Sequence, residues 1–127
     1  MEGLNLRIID ANLNRLREGL RVLEDIFRYI HDDFKTASTI KNLRHKVKLD
    51  IHKELLSSRD ALNDVLKPTT SSEAKRDDLN SVMIANFKRT QESARVLEEI
   101  LKLSDSKKAE EFKALRYELY ELEKNLI

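Results

Sequence analysis

An asparagine, an arginine and a glutamate stand three residues apart twice in this chain, as Asn12, Arg15 and Glu18 and again as Asn86, Arg89 and Glu92. The segments around them repeat as well. Residues 11–26 read ANLNRLREGLRVLEDI and residues 85–100 read ANFKRTQESARVLEEI, identical at 9 of 16 positions. Shared leucines need only a shared core, whereas shared polar residues ask for a further reason. A guanidinium grips phosphate or carboxylate oxygens with a planar fork of N–H donors. An amide both donates and accepts, and a carboxylate one helical turn away can hold an arginine or a divalent metal.

The stripe Ile8, Asn12, Arg15, Gly19, Val22 and Ile26 matches Val82, Asn86, Arg89, Ser93, Val96 and Ile100; both are polar for two turns and then small. One reading is a polar pocket between helices, with the asparagines and arginines pointing into it. The other is close packing of two helices across Gly19 and Ser93, with the polar residues in structural hydrogen bonds. Arg21, Glu24, Arg95 and Glu98 continue the three-residue steps. They belong either with the site or to a ladder of solvated ion pairs, each worth ~0.2–0.5 kcal/mol.

A second group lies at Arg59, Asp60 and Asp64. One helical turn would align the two carboxylates, an oxygen pair that suits Mg²⁺ alongside phosphate oxygens. Alternatively, Asp60 caps a short turn. His31, His45 and His52 are never four apart and there is no cysteine, which argues against zinc. No glycine-rich phosphate loop occurs, so any phosphate must be held by cationic side chains and helix N-termini.

These residues need helices to position them. Apolar residues at Ile9, Leu13, Leu16, Leu20, Leu23, Phe27 and Ile30 step by four and three, which places one stripe on a helix from Leu6 to Ile30. Asn5 is its expected N-cap. His31-Asp32-Asp33 breaks the pattern. A second helix, capped by Thr36 or Ser38, reads through Ile40, Leu43, Val47, Ile51 and Leu55. Residues 57–72 form the long break, with Pro68 and hydroxyl-rich flanks. A third helix covers about Leu79 to Leu103, with Met83, Phe87, Thr90, Ala94, Leu97 and Leu101 inward; a fourth follows Ser104-Asp105-Ser106 with Phe112, Leu115, Leu119, Leu122 and Leu126. Leu43-Arg44-His45 is echoed by Leu115-Arg116-Tyr117. The expected fold is therefore all-α: one domain over residues 1–127, with four main helices as two repeated hairpins (about 6–57 and 73–127) related by pseudo-two-fold symmetry.

Composition agrees. Two glycines and one proline among 127 residues are too few for a β fold built on tight turns. The 24 basic and 23 acidic side chains leave a net charge of +1, against the excess that nucleic-acid or acidic-membrane binding requires. No apolar run approaches the ~20 residues of a membrane span. The first residues lack the basic and apolar regions of a signal peptide, so the cytoplasm is the expected compartment.

The strings RIIDANLNRLREGLRVLEDIFR (7–28), LRHK (43–46), SRDALNDV (58–65) and ANFKRTQESARVLEEILK (85–102) resemble a known family: the small alternative hydroxymethylpyrimidine-phosphate kinases of thiamine biosynthesis. These occur alone or fused to thiamine-phosphate synthase. The resemblance spans about residues 7 to 102. The family has a glycine soon after the Asp-Val of the loop, where this chain has Leu66. The resemblance implies transfer of the γ-phosphoryl group of ATP to 4-amino-5-hydroxymethyl-2-methylpyrimidine phosphate, with Mg²⁺. Arg15 and Arg89 would clamp phosphates, and Arg44 and Arg59 would neutralise transition-state charge. Asn12 and Asn86 would bond the pyrimidine or a phosphate oxygen. Glu18, Glu92, Asp60 and Asp64 would hold metal or orient arginines. A homodimer and thiamine-phosphate synthase are the partners to consider. The competing class is a non-catalytic helical module serving dimerisation or regulation of a thiamine enzyme.

Overall fold

The computed structural model describes residues 3–71 and 73–127; Met1, Glu2 and Ser72, which touch the expected terminus and loop, lie outside the described residues. Among those described, the chain is all-helical: α1 (Gly3–Asp25), a π-helical turn (Ile26–Ile30), α2 (Phe34–Lys46), α3 (His52–Ser58), α4 (Leu79–Leu101) and α5 (Ser106–Leu126). The stripe expected on α4 is buried at all six positions, Met83, Phe87, Thr90, Ala94, Leu97 and Leu101. It meets Ile9, Leu13, Leu16, Leu20 and Leu23 of α1 in one core. α1 and α4 pack most extensively on each other; α2 and α3 lie on α1, and α5 lies on α4.

Carboxylates cap three of the helices. Asp33 accepts from the Thr36 amide at 3.1 Å, Asp78 from Ser81 at 2.7 Å and Asp105 from Lys108 at 3.1 Å, each satisfying an amide with no helical partner. The sequence expectation of Thr36 or Ser38 as the α2 cap is thus corrected to Asp33. Asn5 is not a cap either, because α1 already includes it. The helices differ from expectation at two further places. The α1 stripe ends at Phe27, and Ile30 is exposed, because the π turn adds a residue to the repeat and rotates Ile30 off the stripe. The second helix stops at Lys46 instead of running to Leu55; residues 47–51 leave helical geometry and the chain restarts as α3. The Val47 carbonyl accepts Arg17 Nε at 2.7 Å, a bond from α1 that satisfies a backbone acceptor at the end of α2. Val47 and Leu55 stay buried through the break.

Gly19 decides how α1 meets α4. A Cβ built there would stand 2.7 Å from the Thr90 methyl and 3.4 Å from the Asn86 carbonyl oxygen. The two helices therefore touch where the pocket reading needed space, and close packing is the reading that holds.

Candidate phosphate-binding groove

One polar identity of the repeat, Glu24 and Glu98, forms a buried ion pair in each half of the chain. Glu24 is 1% exposed, and the Arg44 guanidinium approaches it side-on, Nε to Oε1 at 2.7 Å and Nη2 to Oε2 at 3.4 Å. Glu98, 4% exposed, takes Arg116 Nη2 at 3.0 Å and Nε at 3.2 Å. Each joins the long first helix of a segment to the helix packed on it, α1 to α2 and α4 to α5. Burial works to raise the Glu24 carboxyl, but the Arg44 hydrogen bond and the charges of Arg44, Arg21 and Lys41 outweigh it and hold the group below its ordinary value. The solvated-ladder reading survives only at the rim. There Arg21, about half exposed, stands 3.6 Å from Glu24, and Arg95 stands 3.8 Å from Glu98.

Beside the first pair lies an open groove of about 480 Å³ lined by Arg17, Glu18, Arg21, Arg44, His45, Val47 and Lys48. Its walls carry four permanent cations against the Glu18 carboxylate, with Glu24 behind Arg44. Two of the cations are anchored, Arg17 by the Val47 carbonyl and Arg44 by Glu24. Anchoring lowers the entropy lost when a ligand orders them. Fixed guanidiniums and a lysine around one concavity suit phosphate oxygens.

The residues expected from sequence are distributed unevenly. Arg44 and Glu18 line the groove. Arg15 and Arg89 are exposed, and neither pairs with Glu18 or Glu92 within 4.0 Å among the described residues, against the reading that points them into a pocket between helices. Arg15 Nη1 instead reaches the Asn12 side-chain oxygen at 3.4 Å. Asn12 and Asn86 turn their amides back on their own helices, donating to the Ile8 carbonyl at 2.9 Å and the Val82 carbonyl at 2.8 Å. Glu92 is exposed.

Arg59 is held elsewhere. Its guanidinium lies side-on to Asp10, both bonds at 2.8 Å, and this contact raises the Arg59 pKa above its ordinary value. Asp10 is 7% exposed and ties residue 59, at the head of the long connection, to α1. Asp60 accepts the Asn63 amide at 3.2 Å and its side-chain NH₂ at 2.8 Å, which hold the carboxyl low. Asp64 accepts the Leu66 amide at 2.9 Å. Both carboxylates accept hydrogen bonds within their own turn. Among the described residues no three histidine or carboxylate groups stand close enough to hold an ion.

Sequence reasoning missed Asp10, Arg17 and Lys48. Nothing in a one-dimensional pattern brings Lys48 beside Arg17, because the contact depends on where α2 breaks. The Glu24–Arg44 pair had a signal: Glu24 and Glu98 are identical in the repeat, and Leu-Arg recurs at 43–44 and 115–116.

The chain is 43% identical over 130 residues to a thiamine-phosphate synthase of Thermosynechococcus vestitus, covering 98% of this chain and 36% of that protein. It is 41% identical over 122 residues to a thiamine-phosphate synthase of Synechocystis sp., covering 95% and 36%. A thiamine-phosphate synthase of Rhodopirellula baltica is 41% identical over 120 residues, covering 91% and 32%. The chain thus spans about a third of the length of these curated relatives. No solved structure matches it. No helix among the described residues is long and apolar enough to cross a membrane. The ThiD2 family model matches residues 7–125, nearly the whole length, and the chain belongs to the ThiD2 family.

Proposed function

We propose that this protein is a kinase of thiamine biosynthesis, transferring the γ-phosphoryl group of ATP to 4-amino-5-hydroxymethyl-2-methylpyrimidine phosphate to give the diphosphate. The observation that carries the reading is the groove in which Arg17, Arg21, Arg44 and Lys48 converge on a space of about 480 Å³. Family membership and the names of the relatives supply its context. In this reaction the bond from the γ-phosphorus to its bridging oxygen breaks, a bond to an acceptor phosphate oxygen forms, and ADP leaves. The acceptor is an anionic phosphate with a second pKa near 6, so at neutral pH it needs no general base. What the transition state needs is in-line positioning and neutralisation of charge spread over three oxygens.

Arg17 and Lys48 are assigned to phosphate oxygens, Arg44 to the transferring group with its orientation fixed by Glu24, and Arg21 to the rim. Magnesium would enter as part of the nucleotide substrate, and Glu18 is the groove carboxylate that would hold it; Mg²⁺ commonly takes only one or two carboxylates beside phosphate oxygens and waters. Arg15, Arg89, Asn12, Asn86, Arg59 and Glu92 do not line this groove. The recurrence of the buried Glu–Arg pair supports the reading of two hairpins related by pseudo-two-fold symmetry.

The second reading, a non-catalytic dimerisation or regulatory module, draws on Leu62, Val65 and Leu66, all more than 80% exposed in the long connection. An assay of ATP consumption with and without the pyrimidine monophosphate separates the two. Turnover that depends on the monophosphate supports the kinase, and folded protein without turnover favours the module.

A further inference from the structure

A second open groove, of about 420 Å³, lies between α2 and α5 and is lined by Thr39, Leu43, Tyr117, Glu118, Glu121, Leu122 and Asn125. Its chemistry is the reverse of the first. No cation lines it, and it carries two carboxylates, a primary amide, a hydroxyl, two leucines and a tyrosine ring. Among the described residues Glu118 and Glu121 make no ion pair within 4.0 Å, and the Asn125 side chain makes no hydrogen bond. All three remain open to a ligand. Phosphate would be repelled here.

Tyr117 is 54% exposed yet held. The Arg116 guanidinium stands 5.1 Å from its ring centroid, and Arg116 is itself fixed by Glu98 and by the Tyr120 hydroxyl at 3.2 Å. The Tyr120 ring meets Tyr117 edge-on at 6.0 Å. An exposed aromatic ring already in contact with its neighbours stacks on a planar ring with less further entropy loss than a free one. Beside it, free carboxylates accept from an exocyclic amino group, and the Asn125 amide can donate to a ring nitrogen.

We infer that the Tyr117 groove is a subsite for an uncharged, amino-substituted nitrogen heterocycle, stacked on Tyr117, with Glu118 or Glu121 accepting from its amino group. This deepens the kinase reading and rests on it for the identity of the ring, because both substrates of that reaction carry such a group: the adenine of ATP and the aminopyrimidine of the acceptor. Leu43 of this groove and Arg44 of the cationic one are neighbours on α2, so ring and phosphate sites flank one helix.

The test uses the whole chain and phosphate-free probes, adenosine and the free aminopyrimidine alcohol, titrated while the tyrosine ring signals are followed by NMR. At least one probe should shift the Tyr117 signals. Tyr117→Ala should weaken that binding by about tenfold or more, and Tyr117→Phe should retain it. Glu118→Gln with Glu121→Gln should also weaken it, and inorganic diphosphate, which has no ring, should bind Tyr117→Ala as it binds wild type. A response to adenosine alone assigns the groove to the nucleotide, and a response to the pyrimidine alone assigns it to the acceptor. Equal binding to wild type and Tyr117→Ala, or no response to either probe, overturns the subsite. Ring binding in a protein that turns over nothing would keep the subsite and remove the reaction. Wild-type KM values in Tyr117→Ala would do the opposite.

Discussion

Arg44 on α2 closes side-on against Glu24 on α1, with its Nε 2.7 Å from a carboxylate that is almost wholly buried. The pair ties the two helices together next to the cationic groove and sets the direction in which one groove wall faces. Arg116 and Glu98 repeat the arrangement between α5 and α4.

Removing one partner of a buried pair leaves the other charged and unsatisfied, at a cost of about 3–5 kcal/mol. Glu24→Ala should therefore lower thermal stability by roughly 10 °C or more for a chain of this size. Glu24→Leu combined with Arg44→Met should recover much of it, because two apolar groups leave no orphaned charge. Calorimetric melting of the three proteins checks this. A single variant that melts with wild type would show the pair to be dispensable.

The pH dependence follows with its sign. Glu24 and Glu123 both titrate below their ordinary value when folded. For Glu123, burial raises the pKa, and the Gln91 and Lys88 contacts outweigh it. Between that lowered value and the unfolded glutamate value of about 4.3, the unfolded chain binds more protons than the folded one. The stability these groups contribute is present above about pH 4.3 and is lost as pH falls through the folded pKa. Urea midpoints measured from pH 6 to pH 3 should fall toward the acid end. The slope should be shallower in the Glu24→Leu, Arg44→Met protein.

The helical periods were legible because apolar spacing reports a buried face directly: every residue expected on the α4 stripe is buried. The π turn and the break at Val47 were not: the apolar spacing runs on through both, and only the backbone pairing shows that Ile30 leaves the stripe and that the second helix ends at Lys46. Glutamates and arginines at three-residue spacing look alike whether solvated or buried. The repeat showed that Glu24 and Glu98 are equivalent, and only the packing of α2 and α5 shows what they touch. Arg15 and Arg89 were drawn in by their identity in the repeat, yet both face outward.

Gly19 offers a sharper test of the α1–α4 contact. In an open helix Ala would be favoured over Gly by about 1 kcal/mol. Here its methyl would meet the fully buried Thr90 at 2.7 Å, and a buried β-branched side chain has little room to yield. Gly19→Ala should destabilise by about 1–3 kcal/mol. Thr90→Ser, which removes the opposing methyl and keeps the hydroxyl that bonds the Phe87 carbonyl, should rescue it in the double variant. Strictly additive effects would mean the helices part at this point.

Asp10 is expected to govern the long connection. Its two bonds to Arg59 tie residue 59 to α1, close to the exposed Leu62, Val65 and Leu66. Asp10→Asn should quicken tryptic cleavage after Lys75 and Arg76, with little change in the helical circular dichroism signal. Unchanged cleavage rates would show that the connection is held by other contacts.

The central claim is that the groove of Arg17, Arg21, Arg44 and Lys48 carries phosphoryl transfer. The most direct measurement is the appearance of the pyrimidine diphosphate, followed by ³¹P NMR, from ATP, Mg²⁺ and the monophosphate. The wild-type chain should form the diphosphate with equimolar ADP. Lys48→Met and Arg17→Met should stay folded and lose kcat/KM by roughly 10²-fold or more, a larger loss than Arg89→Met produces outside the groove. No diphosphate from folded wild-type protein, or wild-type kcat/KM in both groove variants, would contradict the account.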